Sequence, residues 1–244
     1  MSNGLEGKRV LITGGASGIG AEISRLFAKE GAIIGIHYSQ NKEAAEELRD
    51  ELSKFTKVNI YQEDFSKPEL NLIKSFMEDF GGIDILINNA GVLANKSFLD
   101  IDAEEYDTIF NINTRGSFLV SRDAFRAMKD QNYGRIVNIG SISVKFGMGR
   151  YGSIHYAASK AALETLTTGL SRMGAKHNIT ANTIRPTIVN TRMQKGRVDL
   201  QDRIDLIPMG RMAEPKEIAD MALFLCSKKG DFITGQTISI SGGE

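Results

Sequence analysis

The chain predicts a single α/β domain on a doubly wound, mainly parallel sheet of seven strands, with helices on both faces. Three observations point there. Short β-rich apolar runs alternate with longer amphipathic stretches along the whole length. The first run passes directly into a glycine-rich turn and then a helical pattern. With 244 residues, the chain can bury one large core without staples.

The strands are expected at Arg9–Thr13, Ile33–Tyr38, Val58–Tyr61, Ile83–Asn88, Arg135–Ile139, Thr180–Arg185 and Gln236–Ile240. Helices are expected at Gly18–Lys29, Lys42–Ser53, Pro68–Phe80, Glu104–Lys129, Tyr156–Ala175 and Pro215–Cys226. Strands alternating with helices form βαβ units, and right-handed crossovers cover both sheet faces. No low-complexity linker or convincing repeat divides residues 1–244, so one domain is expected. The segment 187–211 is charged and poorly periodic, and carries Gly196, Pro208 and Gly210. Loops of that length are often lids or binding loops, and a solvated excursion with a short helix is the plainer alternative.

Composition excludes several classes. Thirty basic residues balance thirty acidic ones, so net charge supports neither a nucleic-acid nor a membrane-surface role. Cys226 is the only cysteine, which rules out an intrachain disulfide and a multi-cysteine metal site. His37, His155 and His177 are scattered without ligand spacing, so no metal is expected. Met1 to Arg9 is polar and does not read as a signal peptide. No apolar run approaches the roughly 20 residues that span a bilayer. A soluble, cytoplasmic protein is expected.

Two patterns carry chemistry. Gly14-Gly15-Ala16-Ser17-Gly18-Ile19-Gly20 joins a strand to a helix start. Glycines let a backbone approach a pyrophosphate, and a helix N-terminus offers it free N–H groups. The literal G-x-G-x-x-G fingerprint is absent. Tyr156-Ala-Ala-Ser-Lys160 puts a phenol and an ammonium on one helix face. A nearby cation stabilises tyrosinate, and a phenol tuned that way can exchange a proton with an alcohol oxygen. Tyr38 and Lys42 share the spacing, but Tyr38 follows the second strand and reads as a loop aromatic.

The ordered set of motifs resembles the short-chain dehydrogenase/reductase family, with its Rossmann-like fold. Thr13-Gly-x-x-x-Gly18-x-Gly20 is similar to its cofactor turn. Asp64, followed by Phe65, resembles the acidic position that meets the adenine ring. Asn88-Asn89-Ala90-Gly91 resembles the motif closing the fourth strand. Asn113, Ser141, Tyr156 and Lys160 match the catalytic set in order. Pro186-Thr187-Ile188-Val189-Asn190-Thr191 resembles the segment that holds the nicotinamide carboxamide. The resemblance covers the chain from Lys8 to Gly243.

The resemblance implies hydride transfer between a nicotinamide dinucleotide and a carbonyl or carbinol carbon. Tyr156 then exchanges the proton, Lys160 lowers the tyrosine pKa and holds the ribose, and Ser141 binds the substrate oxygen. Asn113 helps order a water chain to Lys160. Gly14, Ser17, Gly18, Ile19 and Gly20 would hold the pyrophosphate, Asn89, Ala90 and Gly91 the next portion, and Pro186, Val189 and Thr191 the nicotinamide. Ser141 lies fifteen residues before Tyr156, and Ser143 fits the family's spacing better. Thr187 stands where many relatives have glycine, which suggests a local departure of that loop.

The second strand ends in Tyr38-Ser39-Gln40-Asn41-Lys42 with no carboxylate before Glu43. Ser39, Asn41 and Lys42 can donate to a 2′-phosphate, so NADP(H) is favoured and NAD(H) remains open. The closest general likeness is to 3-oxoacyl-[acyl-carrier-protein] reductases, with sugar, polyol and other secondary-alcohol dehydrogenases as the alternative. Leu93, Phe146, Met148, Tyr151, Met193 and Met209 are candidate pocket residues for such a small molecule. Lys129, Lys176 and His177 stand where an acidic carrier would dock, without the arginines expected there. A dinucleotide-binding regulator that has lost catalysis is a third reading, but all four catalytic residues are present. Relatives commonly form homotetramers through two long helices, which here are Glu104–Lys129 and Tyr156–Ala175.

Overall fold

The computed structural model describes residues 3–94, 96–147, 154–194 and 199–244. Its sheet contains β1 (Arg9–Ile12), β2 (Ile33–Tyr38), β3 (Val58–Gln62), β4 (Ile85–Asn88), β5 (Gly134–Ile139), β6 (Ile179–Pro186) and β7 (Thr237–Ile240). The strands run in the order β3-β2-β1-β4-β5-β6-β7, and every pair is parallel. The chain adds strands outward in one direction from β1 to β3 and in the other from β4 to β7, so the winding reverses between β1 and β4. In a doubly wound sheet that switch point opens a crevice at the carboxyl ends of the strands.

Helices α1 (Gly18–Lys29), α2 (Lys42–Leu52), α3 (Leu72–Phe80), α4 (Ala103–Phe110) and α5 (Ser117–Gln131) precede β5 or pack around it. They are followed by α6 (Ser143–Phe146), α7 (Ile154–Gly174), α8 (Leu200–Asp205) and α9 (Pro215–Cys226). Strand side chains alternate between faces. Val10, Ile12, Ile34 and Ile36 accordingly join Ile23, Phe27, Ile218 and Ala222 in one core under α1 and α9. Leu11, Leu86 and Ile136 join Phe76, Val120, Met128 and Leu170 in the other, under α3, α5 and α7.

Two expected helices differ. The stretch Glu104–Lys129 is interrupted by a π-helical turn at Asn111–Gly116 between α4 and α5. Such a turn widens the hydrogen bonding to i→i+5 for a single turn inside an otherwise α-helical stretch. The π turn closes on Gly116, where a Cβ would stand 2.6 Å from the Phe65 ring. The helix expected from Pro68 begins at Leu72, because the Glu63 carboxylate accepts the Asn71 N–H at 2.9 Å and holds residues 68–71 outside it. Among the described residues, no helix is long and apolar enough to cross a membrane.

Candidate active site

The glycine-rich turn is built from β1 outward. Gly14 and Gly18 have φ of 60° and 52°, a region that favours glycine. At Gly20 a Cβ would lie 2.2 Å from the Gly14 carbonyl oxygen, so only glycine lets α1 begin against the turn. The Thr13 hydroxyl accepts the backbone N–H groups of Asn89 and Ala90, each at 3.0 Å. The Asn89 amide donates to the carbonyls of Thr13 and Gly14, also at 3.0 Å. These bonds lock the ends of β1 and β4 together across the switch point.

His37 fastens the same turn from β2. Its Nδ1 accepts the Gly14 N–H at 3.0 Å, which places the proton on Nε2, 3.0 Å from the Glu63 carbonyl. Its ring stacks on Phe65 with centroids 4.5 Å apart. Burial pushes the imidazole pKa down to about 4.

Ser17 caps α1 without a side-chain hydrogen bond. The first N–H groups of a helix lack intrahelical partners, and here they face a cavity. A pyrophosphate fits that arrangement of glycines and free donors. The cavity, about 240 Å³, is lined by Gly14, Ser17, Gly18 and Ile19 at this end. Asn89, Ala90 and Gly91 follow, then Ser141, Ser143, Tyr156 and Lys160, with Pro186, Val189 and Thr191 opposite.

At the far end, Lys160 is 4% exposed, and its Nζ donates to the Ile139 carbonyl at 2.9 Å. Burial lowers its pKa to about 8. Lys160 Nζ lies 5.8 Å from the centre of the Tyr156 ring. The expectation that this cation depresses the tyrosine is not met: Tyr156 is raised above its ordinary value. Burial raises it, and a hydrogen bond with the Ser141 hydroxyl pulls it partly back. The Ser141 oxygen also accepts the Ser143 N–H at 3.2 Å. Ser143 Oγ is buried with no hydrogen-bond partner among the described residues.

Asn113 sits in the π turn behind the cavity wall. Its amide donates to the Val92 carbonyl at 3.0 Å and to Ser159 Oγ at 3.1 Å, and its oxygen accepts the Val92 N–H at 2.8 Å. Ser159 in turn donates to the Tyr156 carbonyl at 2.7 Å. These bonds fix the Asn113 side chain in place. It ties the segment after β4 to the start of α7.

Several expected cofactor residues lie outside this cavity. Tyr38 is a buried residue at the end of β2, not a loop aromatic. Asn41 caps α2 by accepting the Ala44 N–H at 3.1 Å, and Lys42 lies 3.5 Å from Glu46. Ser39 is exposed beside them, and its carbonyl accepts from Gln62 at 3.0 Å. Asp64 is exposed and accepts the Ser66 N–H at 2.9 Å, which holds its carboxyl below the ordinary value. Phe65 is buried, and its ring stacks on His37. These residues mark the β2–β3 side of the crevice.

Of the candidate pocket residues, Leu93 and Met193 line the cavity. Phe146 is exposed, and Met209 is exposed beside a second hollow near β7. Met148 and Tyr151 lie outside the described residues, as does Gly196. Thr187 does not take a positive φ, as its β-branched side chain requires, and its N–H donates to the Ile240 carbonyl at 3.0 Å. Sequence reasoning missed His37, Ser159, Arg203 and Glu244, whose roles depend on contacts with remote residues.

The fold and this crevice define a dinucleotide-binding α/β protein. A family model described as enoyl-(acyl carrier protein) reductase matches residues 14–244. The chain is 36% identical to an acetoacetyl-CoA reductase of Shinella zoogloeoides, over 96% of this chain and 97% of that one. It is 35% identical to a 3-oxoacyl-[acyl-carrier-protein] reductase of Vibrio cholerae, over 98% of both chains. Its structure is similar to that of a blue fluorescent protein from a metagenomic library in complex with NADPH (TM-score 0.92, 33% identity, 98% of both chains). It is equally similar to a short-chain dehydrogenase from Burkholderia cenocepacia in complex with NADP (TM-score 0.92, 32% identity, 98% of both chains). The chain belongs to the short-chain dehydrogenase/reductase family of oxidoreductases, as its motifs predicted.

Proposed function

We propose that this chain is an NADPH-dependent ketoreductase of the 3-oxoacyl-reductase type. The observation that carries the reading is one cavity: it runs from the helix N-terminus after the glycine-rich turn to the half-buried Tyr156 and Ser141 and the buried Lys160. When bound, the nicotinamide supplies the hydride, and the chain supplies orientation and the proton. Gly14, Ser17, Gly18, Ile19 and Gly20 hold the pyrophosphate. Lys160 holds ribose, and Pro186, Val189 and Thr191 hold the carboxamide. Ser39, Asn41 and Lys42 receive the 2′-phosphate, with Tyr38, Asp64 and Phe65 shaping the adenosine side.

With its pKa raised, the Tyr156 phenol is protonated at neutral pH and ready to donate to the oxygen of a carbonyl being reduced. Ser141 hydrogen-bonds that oxygen as charge develops on it. Lys160, near 8, is mostly protonated at pH 7 and returns a proton to the site. Asn113 and Ser159 position the start of α7 and thereby the phenol. Residues 187–211 act as the substrate lid.

A homotetramer in the cytoplasm fits this reading. Exposed Tyr106 and Phe118 on α4 and α5, and Met173 on α7, give the long helices apolar patches for association. The function is tested with a panel of 3-oxo thioesters, 3-oxo esters, ketones and alcohols, each with NADPH, NADH and their oxidised forms. The expected result is NADPH consumption with 3-oxo thioesters or esters, and tighter binding of NADPH than NADH. Turnover confined to sugars or polyols, or tighter NADH binding, overturns the assignment.

A further inference from the structure

The π turn that carries Asn113 also faces the other end of the dinucleotide crevice. Residues two apart on a helix point in different directions. Asn113 is turned to Val92 and Ser159, whereas Arg115 is turned to the loop that follows β3. Arg115 Nη2 donates to the Ser66 carbonyl at 2.7 Å, to the Lys67 carbonyl at 2.9 Å and, less closely, to the Phe65 carbonyl at 3.3 Å. Among the described residues no carboxylate pairs with this guanidinium, so its hydrogen bonds go to backbone oxygens alone. A charged donor binds such oxygens more strongly than a neutral one.

Those carbonyls belong to the loop of Asp64. The Asp64 carboxylate accepts the Ser66 N–H at 2.9 Å, and its carbonyl accepts the Lys67 N–H at 3.0 Å, so the loop is a tight turn closed on Asp64. Phe65 is anchored by packing, between the His37 ring and Gly116. Asp64, Ser66 and Lys67 are exposed and lack such packing. Among the described residues, the hydrogen bonds that tie Ser66 and Lys67 to the rest of the chain all come from Arg115. An exposed turn held by few contacts opens locally at low cost, so these bonds set where the Asp64 carboxylate stands.

We propose that Arg115 is a positioning residue for recognition of the base: by holding the Ser66 and Lys67 carbonyls it fixes the loop that presents Asp64, so that the carboxylate meets the exocyclic amine of adenine and the site rejects hypoxanthine. An amine donates to a carboxylate, whereas the hypoxanthine carbonyl sets two acceptors against each other. The inference rests on the dinucleotide reading given above and extends it to a residue that does not line the cavity. The π turn then serves both ends of the crevice: Asn113 holds the start of α7, and Arg115 holds the adenine loop.

The test uses the full chain and two ligands, NADPH and its hypoxanthine analogue, in which a carbonyl replaces the exocyclic amine. Nicotinamide fluorescence titration gives both affinities for the wild type, Arg115→Gln, Asp64→Ala and the double variant, with the thermal midpoint alongside. The wild type binds NADPH more tightly than the analogue by about tenfold or more, the scale of one hydrogen bond to a charged group. Arg115→Gln brings that ratio to within about threefold of unity, as does Asp64→Ala. The double variant shows no further fall, because both substitutions act on one contact. A purely structural role for Arg115 lowers the thermal midpoint and leaves the ratio at its wild-type value, and that result overturns the inference. If Arg115→Gln does not fold, Arg115→Lys decides. An ammonium does not reproduce the rigid placement of a guanidinium, so the ratio falls to less than about half that of the wild type, and an unchanged ratio overturns the inference. A wild type that binds NADPH and the analogue equally also overturns it, while the dinucleotide reading stands. A wild type that binds neither counts against the dinucleotide reading itself.

Discussion

His37 makes folding depend on pH through a single buried ring. Its Nδ1 accepts the Gly14 N–H, so protonating that nitrogen places two donors against each other 3.0 Å apart. The folded pKa is about 4, against 6.5 for an unperturbed histidine. The folded state thus binds fewer protons than the unfolded chain between these values. His37 contributes stability in full above pH 6.5, and loses it as pH falls toward 4. The gap of roughly 2.5 in pKa caps the loss at about 3 kcal/mol, and roughly 2 kcal/mol of it appears between pH 7 and pH 5. Other groups titrate in the same window, so the comparison is with His37→Gln, which keeps an acceptor and a donor but does not titrate. Urea unfolding of both proteins at pH 7 and pH 5 gives the two losses. The wild type should lose about 2 kcal/mol more than the variant. Equal losses would refute the assignment of His37 as the neutral tether of the glycine-rich turn.

Three more substitutions test neighbouring parts of the site. Ser141→Ala should lower kcat by about two orders of magnitude, the scale of one lost oxyanion donor, with NADPH affinity unchanged; Ser143→Ala should keep kcat within a few-fold, and the reverse ranking in steady-state assays moves the catalytic role to Ser143. Gly20→Ala places a methyl 2.2 Å from the Gly14 oxygen, so NADPH affinity measured by fluorescence titration should fall at least tenfold, and unaltered affinity contradicts the packing described for the turn.

Much of the fold could be read in the chain because local signals coincided with long-range ones. α9 begins at Pro215, where Glu214 and Glu217 form a reciprocal cap, and both features stand in the sequence. β2 is a continuous buried run, and it spans the expected Ile33–Tyr38. The π turn at Asn111–Gly116 was hidden because its cause is remote: Asn113 is held by Val92 and Ser159, 21 and 46 residues away. The state of Tyr156 was hidden for another reason. Spacing shows that Lys160 is near, but not that desolvation in the cavity wall raises the phenol and lowers the amine. Glu244 gave no local signal at all, because its partners Arg203 and Thr187 are 41 and 57 residues away.

The central claim is that Tyr156 delivers the proton in a cavity that binds the dinucleotide independently of it. Tyr156→Phe removes only the hydroxyl, leaving the ring and the glycine-rich turn in place. Single-turnover reduction of a 3-oxo ester, followed at the absorbance band of reduced nicotinamide, measures the chemical step directly, while NADPH fluorescence reports binding. The account predicts a loss of at least about a thousandfold in that step, within the range for positioned acid–base groups, with NADPH affinity within a few-fold of the wild type. A reduction rate near that of the wild type in a variant that binds NADPH normally would contradict it.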